Sequence, residues 1–204
     1  MGFIAELVDR TRNPALALSG VIILASALPA RADDLWTLSD WRLAAYVGPV
    51  THCDTSQVFT GRGDFNQGGL AVLALSREFI RMGSGFSLEA EGQIGQHFSQ
   101  LHEQELNLVF GVRYSNFSWS NRIPTSLAVY VGPSYENWSS HGVTGRYDWE
   151  NYLGAELAVA LPWASRWSGI FRYHHRSSVS TLLHGVTVDD GTMFGVGIKY
   201  DVPG

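Results

Sequence analysis

From Trp41 onward the chain alternates apolar and polar positions with a period of two. In "ELNLVFGVRY", Leu106, Leu108, Phe110, Val112 and Tyr114 share one face, while Glu105, Asn107 and Arg113 share the other with Val109 and Gly111. A period of two predicts a strand, because successive side chains on an extended backbone point to opposite sides. The same pattern predicts eight strands: Trp41–Val50, Leu70–Arg81, Phe86–Phe98, Glu105–Phe117, Thr125–Glu136, Trp149–Leu161, Trp167–Val179 and Thr192–Val202. Each is close to the roughly 9–11 residues that a tilted strand needs to cross a bilayer.

What the second face carries narrows the architecture. On the sixth segment Leu153, Ala155, Leu157, Val159 and Leu161 oppose Glu150, Tyr152, Gly154, Glu156, Ala158 and Ala160; on the third, Phe86, Leu88, Ala90 and Ile94 oppose Ser87, Glu89, Glu91 and Gln93. A soluble sandwich would turn the apolar face into a core and the charges to water. A membrane barrel would do the reverse. Connection lengths favour the barrel: 51–69, 137–148 and 180–191 are long, whereas 82–85 and 162–166 are short, as in barrels with long external loops and short periplasmic turns. Aromatics also gather towards segment ends, at Trp41, Tyr46, Phe79, Phe98, Phe117, Trp119, Trp149, Trp163 and Trp167, which suits interfacial girdles.

The predicted fold is therefore all-β, an eight-stranded antiparallel transmembrane β-barrel with long external loops and short periplasmic turns. Closure leaves no sheet edge unpaired in lipid. Eight strands leave a lumen that side chains fill, which argues against a pore. Arg42, Glu78, Glu89, Glu91, Glu105, Arg113, Glu156, Arg172 and Lys199 are expected to pair inside it, since an unpaired charge there is costly.

Residues 1–32 read differently. Arg10 and Arg12 precede an apolar run, Ala15 to Leu28, and Ala30-Arg31-Ala32 supplies an A-x-A cleavage pattern, so 1–32 is expected to be a secretory signal peptide cleaved after Ala32. Residues 33–204 then form the outer-membrane domain, and past the signal no apolar run reaches the 18 residues of a helical span. That domain holds 11 Lys and Arg against 17 Asp and Glu, a net charge of −6, which gives no reason to expect a nucleic-acid partner. Its single cysteine, Cys53, has no intramolecular partner for a disulfide and reads as a loop residue.

Candidate chemistry is concentrated in "YHHRSSVSTLLHGVTVDD", Tyr173 to Asp190. By strand parity Trp167, Gly169, Phe171, Tyr173, His175 and Ser177 lie on the lipid face, and Ser168, Ile170, Arg172, His174, Arg176 and Ser178 on the lumenal one. His175 and Ser177 thus extend an aromatic outer row at the end where the strand enters a long loop. An imidazole and a hydroxyl at i and i+2 point the same way, so the histidine can take the serine proton and make its oxygen a nucleophile towards an ester. A following acid would orient the histidine, and Asp189 and Asp190 are placed for that. His174 joins the internal polar set by parity; His184 falls in a loop. "GRGD", Gly61 to Asp64, contains an Arg-Gly-Asp triplet of the kind some adhesins present, although loops favour Gly and Asp in any case.

These residues resemble the outer-membrane lipid A 3-O-deacylases, the PagL family, and their acyloxyacyl-hydrolase-like relatives. The resemblance runs through "HRSS" at His175–Ser178, the acids that follow, "ALSREF" at Ala74–Phe79, "LEAEGQIGQHF" at Leu88–Phe98 and "PTSLAVYVGPSYE" at Pro124–Glu136. It implies an eight-stranded barrel whose membrane-facing site hydrolyses an ester-linked acyl chain of lipid A without metal or other cofactor. Ser177 would be the nucleophile and His175 the base. Family spacing points to Asp189 as the orienting acid, while regular alternation with Phe194, Val196 and Ile198 points to Asp190. The chain departs from the family where His-x-Ser is followed by Ser178-Val179-Ser180 in place of Asn-Ala-Gly, where the acid is Asp rather than Glu, and where it ends "KYDVPG" without a terminal aromatic residue. The other reading of the same residues is a non-enzymatic surface barrel, with His175 and Ser177 as ordinary interfacial polar groups.

Overall fold

The computed structural model describes residues 41–51, 60, 68–98, 103–137, 149–177 and 191–203. All of them belong to the unit Thr37–Gly204. The expected signal peptide, Cys53, the Arg-Gly-Asp triplet, His184, Asp189 and Asp190 lie outside the described residues.

Eight strands follow in order: β1 (Trp41–Thr51), β2 (Gly69–Arg81), β3 (Phe86–Phe98), β4 (Gln104–Tyr114), β5 (Thr125–Asn137), β6 (Trp149–Leu161), β7 (Ala164–Ser177) and β8 (Gly191–Asp201). Each pairs antiparallel with the next, and β8 returns to β1, so the sheet closes into a barrel. Every ladder therefore has a partner on both sides, the condition for a strand to sit in a medium without water. At roughly 3.3 Å per residue and a tilt near 45°, even the 11-residue strands cover about 26 Å along the barrel axis, which matches the ~25 Å apolar band of such barrels.

Parity sorts the side chains as the sequence predicts. Leu73, Ile94, Leu106, Val131 and Val196 are among the large apolar residues left exposed on the outer wall, Leu73 at 67 %. Glu89, Glu105, Glu156 and Arg172 are fully buried inside. A soluble sandwich would show the opposite distribution.

The lumen is filled by a continuous charged network. Nearest the turn end, Arg42 pairs with Glu78 at 3.0 Å and Glu89 at 2.7 Å. In the middle, Arg113 donates to Glu89 at 2.6 Å and to Glu156 at 2.8 Å, Arg172 bridges Glu156 and Glu91, and Lys199 also reaches Glu156. The Tyr130 hydroxyl accepts from Arg113 at 2.6 Å and donates to Glu89. Gly111 lies directly across from Tyr130, and a methyl group there would sit 2.5 Å from the tyrosine ring, so the missing side chain is what admits the ring. Near the loop end, Glu105 lies 2.8 Å from His174 and 3.2 Å from His97, and Arg176 pairs with Glu136 at 2.5 Å and Glu150 at 3.2 Å. All nine charges expected to pair inside do so, and His174 joins them.

Three expectations need correction. Tyr46 is no girdle residue: it shares inward parity with Arg42 and Ala44, is buried, and carries the Arg172 guanidinium over its ring at 5.3 Å. Strand β4 stops at Tyr114 rather than Phe117, because the Ser115 amide turns to donate to the Gly85 carbonyl at 2.9 Å and 115–124 folds into a turn held by Arg122 to Trp119 at 2.9 Å. That connection is longer than the 99–103 loop at the other end, so length does not alternate throughout. Strand β7 begins at Ala164, three residues earlier than expected, since Leu161 and Ala164 pair across a two-residue turn after a register shift.

Candidate active site

The outer wall is apolar along most of β6, β7 and β8, with Leu153, Leu157, Phe171, Val196 and Ile198 exposed. Within it an aromatic ladder climbs towards the loop end: Phe171 stacks on Phe194 with ring centres 6.0 Å apart, Tyr173 meets Phe194 at 5.4 Å, and Tyr173 stacks nearly parallel on His175 at 6.0 Å. Above that ladder the wall turns polar.

His175 and Ser177 are on the outer face, as parity requires, but neither is open. His175 is 7 % exposed and Ser177 8 %, against 46 % for Phe171 four residues below His175. They are two residues apart on one strand, so their Cα atoms are separated by about 6.6 Å and their side chains project in the same direction.

Register adds the flanking groups. His175 lies directly between Leu153 on β6 and Thr192 on β8, and Thr192 in turn faces Thr51 on β1. Ser177 lies directly across from Asn151 on β6. Directly opposed side chains have Cβ atoms roughly 4.5–5.5 Å apart, within reach of one another. Thr51 and Thr192 are fully buried and Asn151 is half-buried. The contact at the centre is a hydrogen bond of 2.9 Å between His175 Nδ1 and Thr192 Oγ1.

Thus the structure brings His175 and Ser177 onto one buried, outward-facing polar row, while Asp189 and Asp190 fall outside the described residues. Thr192, Thr51 and Asn151 were not identified from sequence. No single strand reveals them: Thr192 becomes a neighbour of His175 only once β7 and β8 are paired in register.

Chemically, the row offers a hydroxyl, an imidazole whose Nδ1 meets Thr192, and an amide side chain next to the hydroxyl. These are the parts for moving a proton off an oxygen and for donating to an oxygen that gains charge. Nothing among the described residues groups three or more His, Cys, Asp or Glu side chains in a way that would hold a metal ion.

The fold and wall together define an eight-stranded membrane-type barrel with a charged, filled lumen. Among solved structures, the chain is similar to the outer-membrane enzyme PagL (TM-score 0.50, 15 % identity, covering 79 % of this chain and 99 % of that one). It is equally similar to Neisserial surface protein A, NspA (TM-score 0.50, 8 % identity, covering 79 % and 97 %). At these identities the likeness establishes the fold alone. No protein-family model and no curated protein matches the chain.

Proposed function

We propose that the protein is an outer-membrane ester hydrolase that removes an ester-linked acyl chain from lipid A at the outer wall of its barrel. Ser177 is the nucleophile, His175 the general base and then acid, and Asp189 the orienting acid, with Asp190 as the alternative. The observation that carries this reading is the placement of His175 and Ser177: outward-facing, side by side on β7, and buried, above a stretch of wall on β6, β7 and β8 that is apolar and exposed. A wall built only to contact lipid gains nothing from burying an imidazole and hydroxyls, which lose water and must find partners.

The reaction follows from those groups. As Ser177 Oγ attacks the ester carbonyl, its proton passes to His175, and the carbonyl π pair moves onto oxygen to give a tetrahedral oxyanion. Collapse breaks the bond to the sugar oxygen, which takes the proton back from the imidazolium and leaves as an alcohol. Water then repeats the sequence on the acyl-serine, releasing the fatty acid and restoring the hydroxyl.

A second reading has its own support: NspA, described as a surface protein, is as similar in structure as PagL is. On that reading the polar row is structural. Mass spectrometry of lipid A from a host expressing this chain, beside Ser177→Ala and His175→Ala variants at equal membrane levels, separates the two. Loss of one acyl chain with the parent alone is expected. Unchanged lipid A with folded parent protein in the outer membrane would assign the chain to the non-enzymatic barrels.

A further inference from the structure

We infer that Thr192 is a positioning residue for the hydrolysis: its hydroxyl oxygen accepts the Nδ1 proton of His175 and so fixes the imidazole as the tautomer whose Nε2 lone pair takes the Ser177 proton. The inference deepens the hydrolase reading and rests on it: the contact itself suits either tautomer, and the reaction selects the one with Nδ1 protonated.

Three observations carry it. The Nδ1 to Oγ1 distance is 2.9 Å, ordinary for a good hydrogen bond. Thr192 sits directly opposite His175 in the β7–β8 ladder, so both backbones fix the pair, and the stack of Tyr173 on His175 holds the ring plane from below. Thr192 is also fully buried while facing outward, on a strand whose outward Val196 and Ile198 are exposed and whose outward Phe194 and Tyr200 are half-buried, and it faces a second buried threonine, Thr51.

A neutral imidazole carries one proton, and the nitrogen that holds it cannot act as the base. A hydroxyl can meet Nδ1 either as acceptor or as donor, and the two cases give opposite tautomers. With Thr192 accepting, Nδ1 bears the proton and Nε2 is the base. With Thr192 donating, Nε2 bears the proton and Ser177 loses its acceptor. Tautomer choice of this kind is where an orienting group exerts most of its effect in serine hydrolases, up to about 10⁴ in turnover. Nδ1 has one proton to give, so with Thr192 accepting it the acid acts through its charge on the imidazolium, and the hydroxyl's share is orientation alone, roughly ten- to a hundredfold on the general-base step.

The test uses the full-length protein refolded in detergent micelles, with 15N-labelled histidine. His175 signals are identified by their loss in His175→Gln. The expected wild-type spectrum shows His175 protonated at Nδ1. Thr192→Val, which keeps the shape and removes the acceptor, is expected to shift the ring towards the other tautomer and to lower kcat for lipid A deacylation ten- to a hundredfold with KM unchanged. Thr192→Ser restores both readings, which also guards against a folding defect in the valine variant. A wild-type His175 protonated at Nε2 overturns the inference, as does a Thr192→Val protein with unchanged tautomer and unchanged kcat. If the wild type deacylates nothing while its tautomer responds to Thr192 as described, the positioning contact stands and the hydrolase reading fails, so the two failures are distinguishable.

Discussion

Glu156 offers the sharpest test of how the barrel is held together. One oxygen accepts from Arg113 at 2.8 Å and from Lys199, and the other from Arg172 at 2.5 Å, so three cations from β4, β7 and β8 converge on one carboxylate from β6. Replacing it with glutamine keeps the volume but removes the charge, and the NH2 group must face either Arg172 or the pair Arg113 and Lys199, donor against donor. Arg113 keeps Glu89 and Arg172 keeps Glu91, but Lys199 loses the carboxylate it touches. Removing one partner from a buried charge cluster costs about 3–5 kcal/mol, because the remaining charges stay desolvated without compensation. On the order of two to four powers of ten in the folding equilibrium are then at stake. Urea unfolding in lipid vesicles, followed by tryptophan fluorescence, measures the change directly. Asp201→Asn is the control: its carboxylate meets Arg42 at 3.3 Å but is 54 % exposed, and a pair of that kind contributes less than about 1 kcal/mol. An Glu156→Gln protein within about 1 kcal/mol of wild type, or no weaker than Asp201→Asn, would refute the claim that the lumenal network is what pins the strands. The consequence reaches the outer wall. Glu156 and Arg172 are directly opposed across β6 and β7, the same ladder that sets Asn151 against Ser177.

Two further predictions concern residues outside the described ones. Asp189→Asn is expected to lower lipid A deacylation by at least a hundredfold and Asp190→Asn to do much less, measured by mass spectrometry of lipid A at matched protein levels; the reverse order would make Asp190 the orienting acid. Removal of residues 1–32 on export is expected to give a mature chain that starts at Asp33, checked by the intact mass of protein purified from outer membranes; a mass that retains Met1 would make the apolar run an anchor instead.

How far the sequence could be read follows from which features need only one strand. Parity is a property of a single segment, so Phe86–Phe98 and Trp149–Leu161 were delimited to the residue and every expected lumenal charge is inside. Tyr46 stands at the middle of β1 rather than at an end, and parity puts it in the lumen beside Gln93 at 3.3 Å, away from any girdle. Features that depend on two strands were not legible. Arg176 was placed on the lumenal face, yet its partners Glu136 and Glu150 belong to other strands and emerge only from the closed register. The same holds at the site, where His175 and Ser177 are neighbours in sequence, while Thr192 and Asn151 reach them through the β7–β8 and β6–β7 ladders, whose registers the alternation of one strand does not fix. The burial of His175 and Ser177 was equally invisible, since alternation says which way a side chain points and not what covers it.

The position of this row on the strand is itself an argument about function. An eight-stranded barrel has no room inside for a lipid, because Tyr130, Tyr152, Arg172 and the carboxylates fill it. A membrane-bound ester can therefore reach the protein only from the outer wall or the loops. On that wall polar groups are costly at mid-height, where no water can satisfy them, and the penalty falls towards zero near the interface. The aromatic ladder of Phe171, Tyr173 and Phe194 lies below the polar row, and His175, Ser177, Thr192 and Asn151 follow it towards the loop end of the strands. On the proposed hydrolase reading, an acyl ester attached to a sugar headgroup meets the wall at that end, with its chain running down into the hydrocarbon. Outward polar pairs occur elsewhere at this end, as where Gln104 donates to Gln96 at 3.3 Å across β3 and β4, but the β6–β8 row differs in holding an imidazole and a hydroxyl side by side, both buried.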